Sequence, residues 1–330
     1  MRESRQILAD LDQPARAAAV QPAAPTRHHL RDWTDPLSFV RLGRAMEALG
    51  EDGDAEAAYR RALRDMPTLA VAHGALGRLF LHQDAIAQAI SHLNNAIALE
   101  PDNPELMRLL AAALLRTGRR DDAVFWLRNA WTADPDSAEA CYHLGYALRD
   151  SDPDEAETWF ERALAADANH ADAHRELGWL LGGVQPTLLA ESHLRRAIEL
   201  DPSDAWARVY LGNCLWRLGR PLHAIVEFSA AIQAQPEEAF PLWALADAYE
   251  EQERWEDALA LYARALVLDP ASADAHLDLG RMYTRKGDSR LARLHLEQAL
   301  TLDPATEGAR TLLDQLDEPG AAKAQTAHAN

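Results

Sequence analysis

The sequence predicts an all-α solenoid, a row of helical hairpins sharing one continuous core, and three observations carry that prediction. One residue pattern returns every 34 residues from Pro36 to Pro304. Within each period the apolar residues fall at helical spacing in two runs separated by a short turn. Proline then closes seven of the eight periods, where it ends the second helix because it has no N–H for the hydrogen-bond ladder. A hairpin of this kind cannot bury its apolar face alone, so neighbours must stack.

Residues 1–34 stand outside the period, and Gln13 to Thr26 is an Ala/Pro stretch that reads as a flexible linker. The eight units begin at Pro36, Ala70, Pro104, Ala138, Ala171, Ala205, Ala239 and Ala273, and only the fourth is one residue short. The seventh position is Leu in every copy, from Leu42 to Leu279, and the eighth is Gly or Ala. The second helix carries two invariant alanines, from Ala55 and Ala62 to Ala292 and Ala299, with a bulky residue such as Tyr59, Phe160 or Phe228 between them. Small residues let helix backbones approach, and the bulky one fills the space they leave. In the unit from Ala205 to Pro236 the turn is Leu218-Gly219-Arg220-Pro221. Asn103-Pro104 supplies a cap followed by proline at the first helical position. Gly182-Gly183 reads as the turn of the fifth unit. Thr306 to Leu316 places Ala309, Leu312, Leu313 and Leu316 on one side, as a helix covering the last unit would. The array with this cap is expected to span 35–317, and the small, polar stretch 318–330 reads as a disordered tail.

This series of Leu-Gly, Ala, bulky residue, Ala and Pro resembles the tetratricopeptide repeat, matched from Pro36 to Pro304. The resemblance implies a right-handed α-solenoid of eight helix-turn-helix repeats with a C-terminal capping helix. It also implies that the first helices line a concave groove, used to hold a segment of another protein. The chain departs from the pattern at Ala168, which replaces the closing proline. At the fourth position, where the family carries an aromatic, stand His73, Met107, Cys141, His174, Arg208 and His276.

Composition narrows the function. There are 33 Lys and Arg against 52 Asp and Glu, a net charge of -19, which disfavours nucleic acid and anionic membrane surfaces as partners. No stretch is apolar enough for a membrane helix, and the N-terminus lacks the apolar core of a secretory signal. Cys141 and Cys214 lie far apart in helical runs, so no disulfide framework or CxxC site is available and a reducing, cytoplasmic setting is expected. No phosphate-cradling glycine loop, HExxH or GxSxG is present, so no enzyme and no cofactor are expected. His73 and His92, His174 and His193, and His276 and His295 recur three repeats apart. Without a Cys or carboxylate at ligand spacing they read as partly buried, hydrogen-bonded histidines, not as a metal site.

In the family the fifth and ninth positions of the first helices line the groove. Here they are Val40 and Arg44, Gly74 and Arg78, Arg108 and Ala112, Tyr142 and Tyr146, Arg175 and Trp179, Val209 and Asn213, Trp243 and Asp247, Leu277 and Arg281. Five are Arg, four aromatic and one acidic, reversing the sign of the whole chain, and Trp206, Trp216 and Arg149 lie on neighbouring positions. Arg with Tyr and Trp is the composition of interaction hot spots, which predicts a peptide partner with acidic and apolar anchors. The family's chaperone-type carboxylate clamp is absent, since Val40-Arg44 and Gly74-Arg78 stand where its Lys-Asn pair belongs, and its Asn ladder is reduced to Asn213. Ile7 to Asp12, with three aliphatics and two carboxylates, is a candidate internal ligand for the groove. Self-assembly through stacked end repeats and a subunit that positions a separate enzyme are the competing readings.

Overall fold

A computed structural model describes residues 35–184 and 187–317. The segment 1–34, with the candidate internal ligand, and the tail 318–330 lie outside the described residues. Backbone contacts divide the chain into two compact units, 1–168 and 169–330. The boundary follows Ala168, the position where the closing proline is missing. Every element among the described residues is a helix.

The first unit consists of α1 (Pro36–Ala48), α2 (Asp52–Asp65), α3 (Ala70–His82), α4 (Ile86–Leu99), α5 (Pro104–Arg116), α6 (Arg120–Ala133), α7 (Ala138–Leu148) and α8 (Pro153–Ala166). The second consists of α9 (Ala171–Val184), α10 (Leu188–Leu200), α11 (Ala205–Arg217), α12 (Pro221–Ala234), α13 (Phe240–Glu251), α14 (Trp255–Leu268), α15 (Ala273–Lys286), α16 (Ser289–Leu302) and α17 (Glu307–Asp317). In each unit consecutive helices pair as hairpins, and each second helix also packs on the first helix of the next hairpin.

The helix ends follow from local chemistry. Asn103 Oδ1 accepts from the backbone N–H groups of Glu105 and Leu106, with Pro104 opening α5. Asp152, Asp204 and Ser272 cap α8, α11 and α15 in the same way. Six hairpins turn through a left-handed residue, which is glycine at Gly50, Gly118, Gly219 and Gly287 but Asp84 and Glu253 in the other two, whereas the shorter fourth hairpin turns at 149–152 without one. Gly182 and Gly183 are not the turn expected of them: they form the last turn of α9, and the connection lies beyond Val184.

Packing explains the invariant positions. All sixteen invariant alanines of the second helices are 0–1% exposed, and the bulky residues between them are equally enclosed. A Cβ on Gly145 would lie 2.7 Å from the Phe160 ring, and Gly43, Gly77, Gly178, Gly212 and Gly280 face Tyr59, Leu93, Leu194, Phe228 and Leu296 at similarly forbidding distances. Glycine at the eighth position is therefore what lets a full-sized side chain enter between the helices, each such burial stabilising by about 1.5–3 kcal/mol. At the end of the second unit α17 buries Ala309 against Leu296 and Ala299, with Leu312, Leu313 and Leu316 around it, as the sequence predicts.

Candidate interaction face

The first helices of each hairpin touch one another along the row, in addition to their own partners, so their free sides form the inner face of each unit. In the second unit this face is built by α9, α11 and α13. Trp206 and Phe240 stack with centroids 3.5 Å apart and planes inclined by 19°, and Tyr210 lies 5.9 Å from Trp206 and 6.1 Å from Trp179. The inclined Tyr210 pairs are of the kind that adds to the area they bury. Two cavities open here. One, of about 310 Å³, lies between α9 and α11 and is lined by Trp179, Tyr210, Asn213, Trp216 and Arg217. The other, of about 280 Å³, lies between α11 and α13 and is lined by Val209, Asn213, Trp216, Phe240, Trp243, Asp247 and Glu251.

The arginine expected to serve this face is engaged elsewhere. Arg175 is only 6% exposed; its guanidinium donates to Asp172 at 2.6 Å, Glu176 at 3.0 Å and Asp204 at 3.0 Å. Asp204 also caps α11, so this charge cluster joins α9 to the start of the next hairpin. Arg281 binds Glu250 at 3.0 Å and Asp278 at 2.8 Å. Beneath them the buried Tyr262 hydroxyl donates to Asp247 and, at 3.0 Å, to Glu250. Desolvation pushes the Asp278 carboxyl up to about 7 and raises Asp247 as well, with Glu250 and Glu251 adding repulsion.

In the first unit the inner face is different. Arg44 and Arg78 share a shallow pocket of about 100 Å³ with Gly74, Asn103, Glu105 and Leu106. Arg78 pairs with Glu47 at 2.8 Å, whereas Arg44 is exposed and makes no ion pair among the described residues. Arg108 is half-buried. Tyr142 is 1% exposed, Arg149 is 7% exposed and its guanidinium covers the Tyr146 ring at 4.3 Å. The expectation that Tyr142, Arg149 and Arg175 present surface to a ligand is therefore corrected, because each is enclosed by its own unit's packing or ion pairs.

The structure brings together Trp179, Asn213, Trp216 and Trp243, with Trp206 beside them, and separately Arg44 with Arg78. Tyr210 and Phe240 also belong to this face, as does Glu251, which with Glu250 reads from the sequence as part of a solvated acidic face. The available signal was spacing: Trp206, Tyr210, Asn213 and Arg217 follow one another at three and four residues, and so do Phe240, Trp243, Asp247 and Glu251.

The repeated histidines meet in pairs. Nδ1 to Nδ1 distances are 3.0 Å for His73 and His92, 2.8 Å for His174 and His193, and 3.0 Å for His276 and His295, each joining the two helices of one hairpin. Such a bond needs the accepting ring to be neutral and the other to carry its proton on Nδ1. Burial accordingly lowers the pKa of His92, His193, His276 and His295, and the facing imidazole adds to this for all but His276. Cys141 and Cys214 are free, buried thiols whose pKa burial raises. Among the described residues no three metal-ligating side chains gather, and no helix is long and apolar enough to cross a membrane.

Family models described as tetratricopeptide repeat match residues 80–144, 126–171, 146–181, 188–239 and 273–306, and one described as TPR repeat matches 246–287. Together they cover more than half of the chain. No curated protein sequence matches it significantly. Among solved structures, a chain of the APC/C hetero-tetramer Cut9–Hcn1 is similar with a TM-score of 0.64 and 17% identity, over 85% of this chain and 55% of that one. The chain thus spans about half the length of that relative. PilF of Pseudomonas aeruginosa is similar with a TM-score of 0.54 and 20% identity, over 64% of this chain and 97% of that one. At these identities the likeness is one of fold.

Proposed function

Because the chain belongs to the tetratricopeptide repeat family, whose folds serve as protein–protein interaction scaffolds, we propose that it is such a scaffold and that the inner face of α9, α11 and α13 holds a segment of its partner. The observation that carries this reading is the gathering of Trp179, Trp206, Tyr210, Trp216, Phe240 and Trp243 around two adjoining cavities. Large rigid side chains lose little entropy on binding and dominate interface energies. Their half-burial in the free protein leaves ring surface for a ligand to cover. The first unit adds a second contact of different chemistry: the exposed Arg44, beside the Arg78–Glu47 pair, suits a carboxylate, which keeps the expected acidic anchor at that pocket alone.

Selection of a random peptide display library on the full chain tests this directly. A recurring motif should emerge with apolar or aromatic anchors. Binding of that motif should be lost when Trp216→Ala and Trp243→Ala are combined, with helicity unchanged by circular dichroism. Failure to enrich any motif, or a motif that binds the double variant equally well, overturns the assignment of the face.

A further inference from the structure

The cavity between α11 and α13 is acidic as well as aromatic. On α13, Asp247 and Glu251 follow Trp243 at successive turns, and α11 contributes Asn213 and Trp216 from the other side. Glu251 accepts from Trp216 Nε1 at 2.6 Å, which holds that indole beside a carboxylate. Asp247 accepts from the Tyr262 hydroxyl. The cations nearby are already taken: Arg281 lies on Glu250 and Asp278, and Arg285 is 3.3 Å from Glu250. Among the described residues no Lys or Arg forms an ion pair with Asp247 or Glu251, although both residues are exposed. Trp243, whose ring lines the same cavity, leaves its buried Nε1–H without an acceptor among the described residues.

The carboxylates and the ring faces call for a positive charge, and the indole N–H calls separately for an acceptor from the segment's backbone. Desolvation raises the Asp247 and Asp278 carboxyls, with neighbouring carboxylates adding to the rise, and a cation bound beside them would favour their charged form. We propose that the cavity lined by Asn213, Trp216, Trp243, Asp247 and Glu251 receives a basic side chain of the partner segment, with its charge on Asp247 and Glu251 and its apolar stem against the tryptophans. This deepens the reading of the face as a peptide site and rests on it. It also reverses, for the second unit, the acidic preference that the arginine count suggested. Asp247 and Glu251 repel a carboxylate, whereas a guanidinium satisfies both and stacks on indole.

The test uses ¹⁵N-indole-labelled full chain and three small probes: N-acetyl-arginine amide, its neutral isostere N-acetyl-citrulline amide, and N-acetyl-glutamate amide. The Trp216 and Trp243 indole resonances, assigned with single Trp→Phe variants, should shift and saturate with the arginine probe. At equal concentration they should move little with the other two. Glu251→Gln alone, at an exposed residue that holds no buried partner, should weaken the arginine response, and Asp247→Asn with Glu251→Gln should weaken it about tenfold. An equal citrulline response, a glutamate response, an arginine response that survives both substitutions, or no indole shift at all overturns the proposal. Display selection separates this failure from that of the wider reading. A motif lost with Trp216→Ala and Trp243→Ala but lacking a basic residue leaves the face intact and removes the cation site, whereas no motif removes the face itself.

Discussion

The inner faces of the two units are built on the same hairpin and carry opposite chemistry. Around Arg44 and Arg78 the first unit offers guanidinium groups beside Glu100, Asn103 and Glu105, with Arg78 held by Glu47, and no aromatic ring in the pocket. Around Trp216 and Trp243 the second offers rings and carboxylates, while its arginines are engaged in the framework. The invariant positions specify the hairpin and leave the exposed stripe of the first helix free to vary. An average over all first helices therefore describes neither unit: it counts Arg175 with Arg44, although one is buried among three carboxylates and the other faces solvent.

The largest expected effect breaks this comparison if it fails. Arg175→Ala should destabilise the protein by about 3–5 kcal/mol, because it leaves Glu176 and Asp204 buried without their shared cation. Arg44→Ala should change stability by less than about 0.5 kcal/mol. Urea unfolding of the two variants checks both values, and similar small losses would return Arg175 to the candidate binding residues. A next, smaller effect concerns the partner segment. Truncating Trp243 should cost about 2 kcal/mol of binding or more, as a central anchor does, against a milder loss for Arg44→Ala at a rim-like charge. Titration calorimetry with a selected peptide gives the ratio, and a larger loss at Arg44 would move the main contact to the first unit.

Acid should separate the units as well. His92, His193 and His295 sit below the ordinary value of 6.5 through burial and the facing imidazole. The folded state thus prefers them neutral, and the unfolded chain binds more protons as the pH falls. Their contribution is fully present above 6.5 and is lost as the pH drops through 6.5 toward their lowered values. Asp278 acts oppositely, its raised pKa removing stability as the pH climbs from 3.8 toward about 7. Comparing wild type with His92→Gln, His193→Gln and His295→Gln combined cancels the carboxylate effect. Between about pH 7.5 and about pH 5.5 the wild-type unfolding midpoint should fall further than the variant's, and amide protection factors, taken relative to the intrinsic rate at each pH, should fall more in the second unit, which holds two of the three pairs. Equal falls would show that the pairs do not titrate with unfolding.

The smallest effect lies in the turns. Glu253→Gly should stabilise by about 1 kcal/mol by removing a left-handed glutamate, and Asp84→Gly by less, since aspartate visits that region more readily. Thermal melts of the two variants check the order, and no gain at Glu253 would mean that its turn is relaxed.

The fold was readable because packing repeats. Glycine or alanine against a bulky side chain and proline after the second helix are dictated by contacts within one hairpin, so eight copies state the same rule. The turn of the fifth hairpin was misread because Gly182 and Gly183 carry no helix-breaking requirement in themselves and here continue α9. The face was only partly legible. Trp216 and Trp243 are legible from their positions, but Phe240 belongs to the face through its stack on Trp206 and its edge contact with Tyr210 across two hairpins, contacts that no single helix encodes. Whether an arginine is a ligand or a strut depends on which carboxylates the neighbouring hairpin supplies. For Arg175, Asp204 comes from the next one.

Hydrogen exchange of the full chain with and without a selected peptide tests the central claim most directly. The account predicts new protection in α9, α11 and α13, strongest around Asn213, Trp216 and Trp243, with α10, α12 and α14 unchanged. Protection confined to those second helices, or spread evenly over all hairpins, would contradict it.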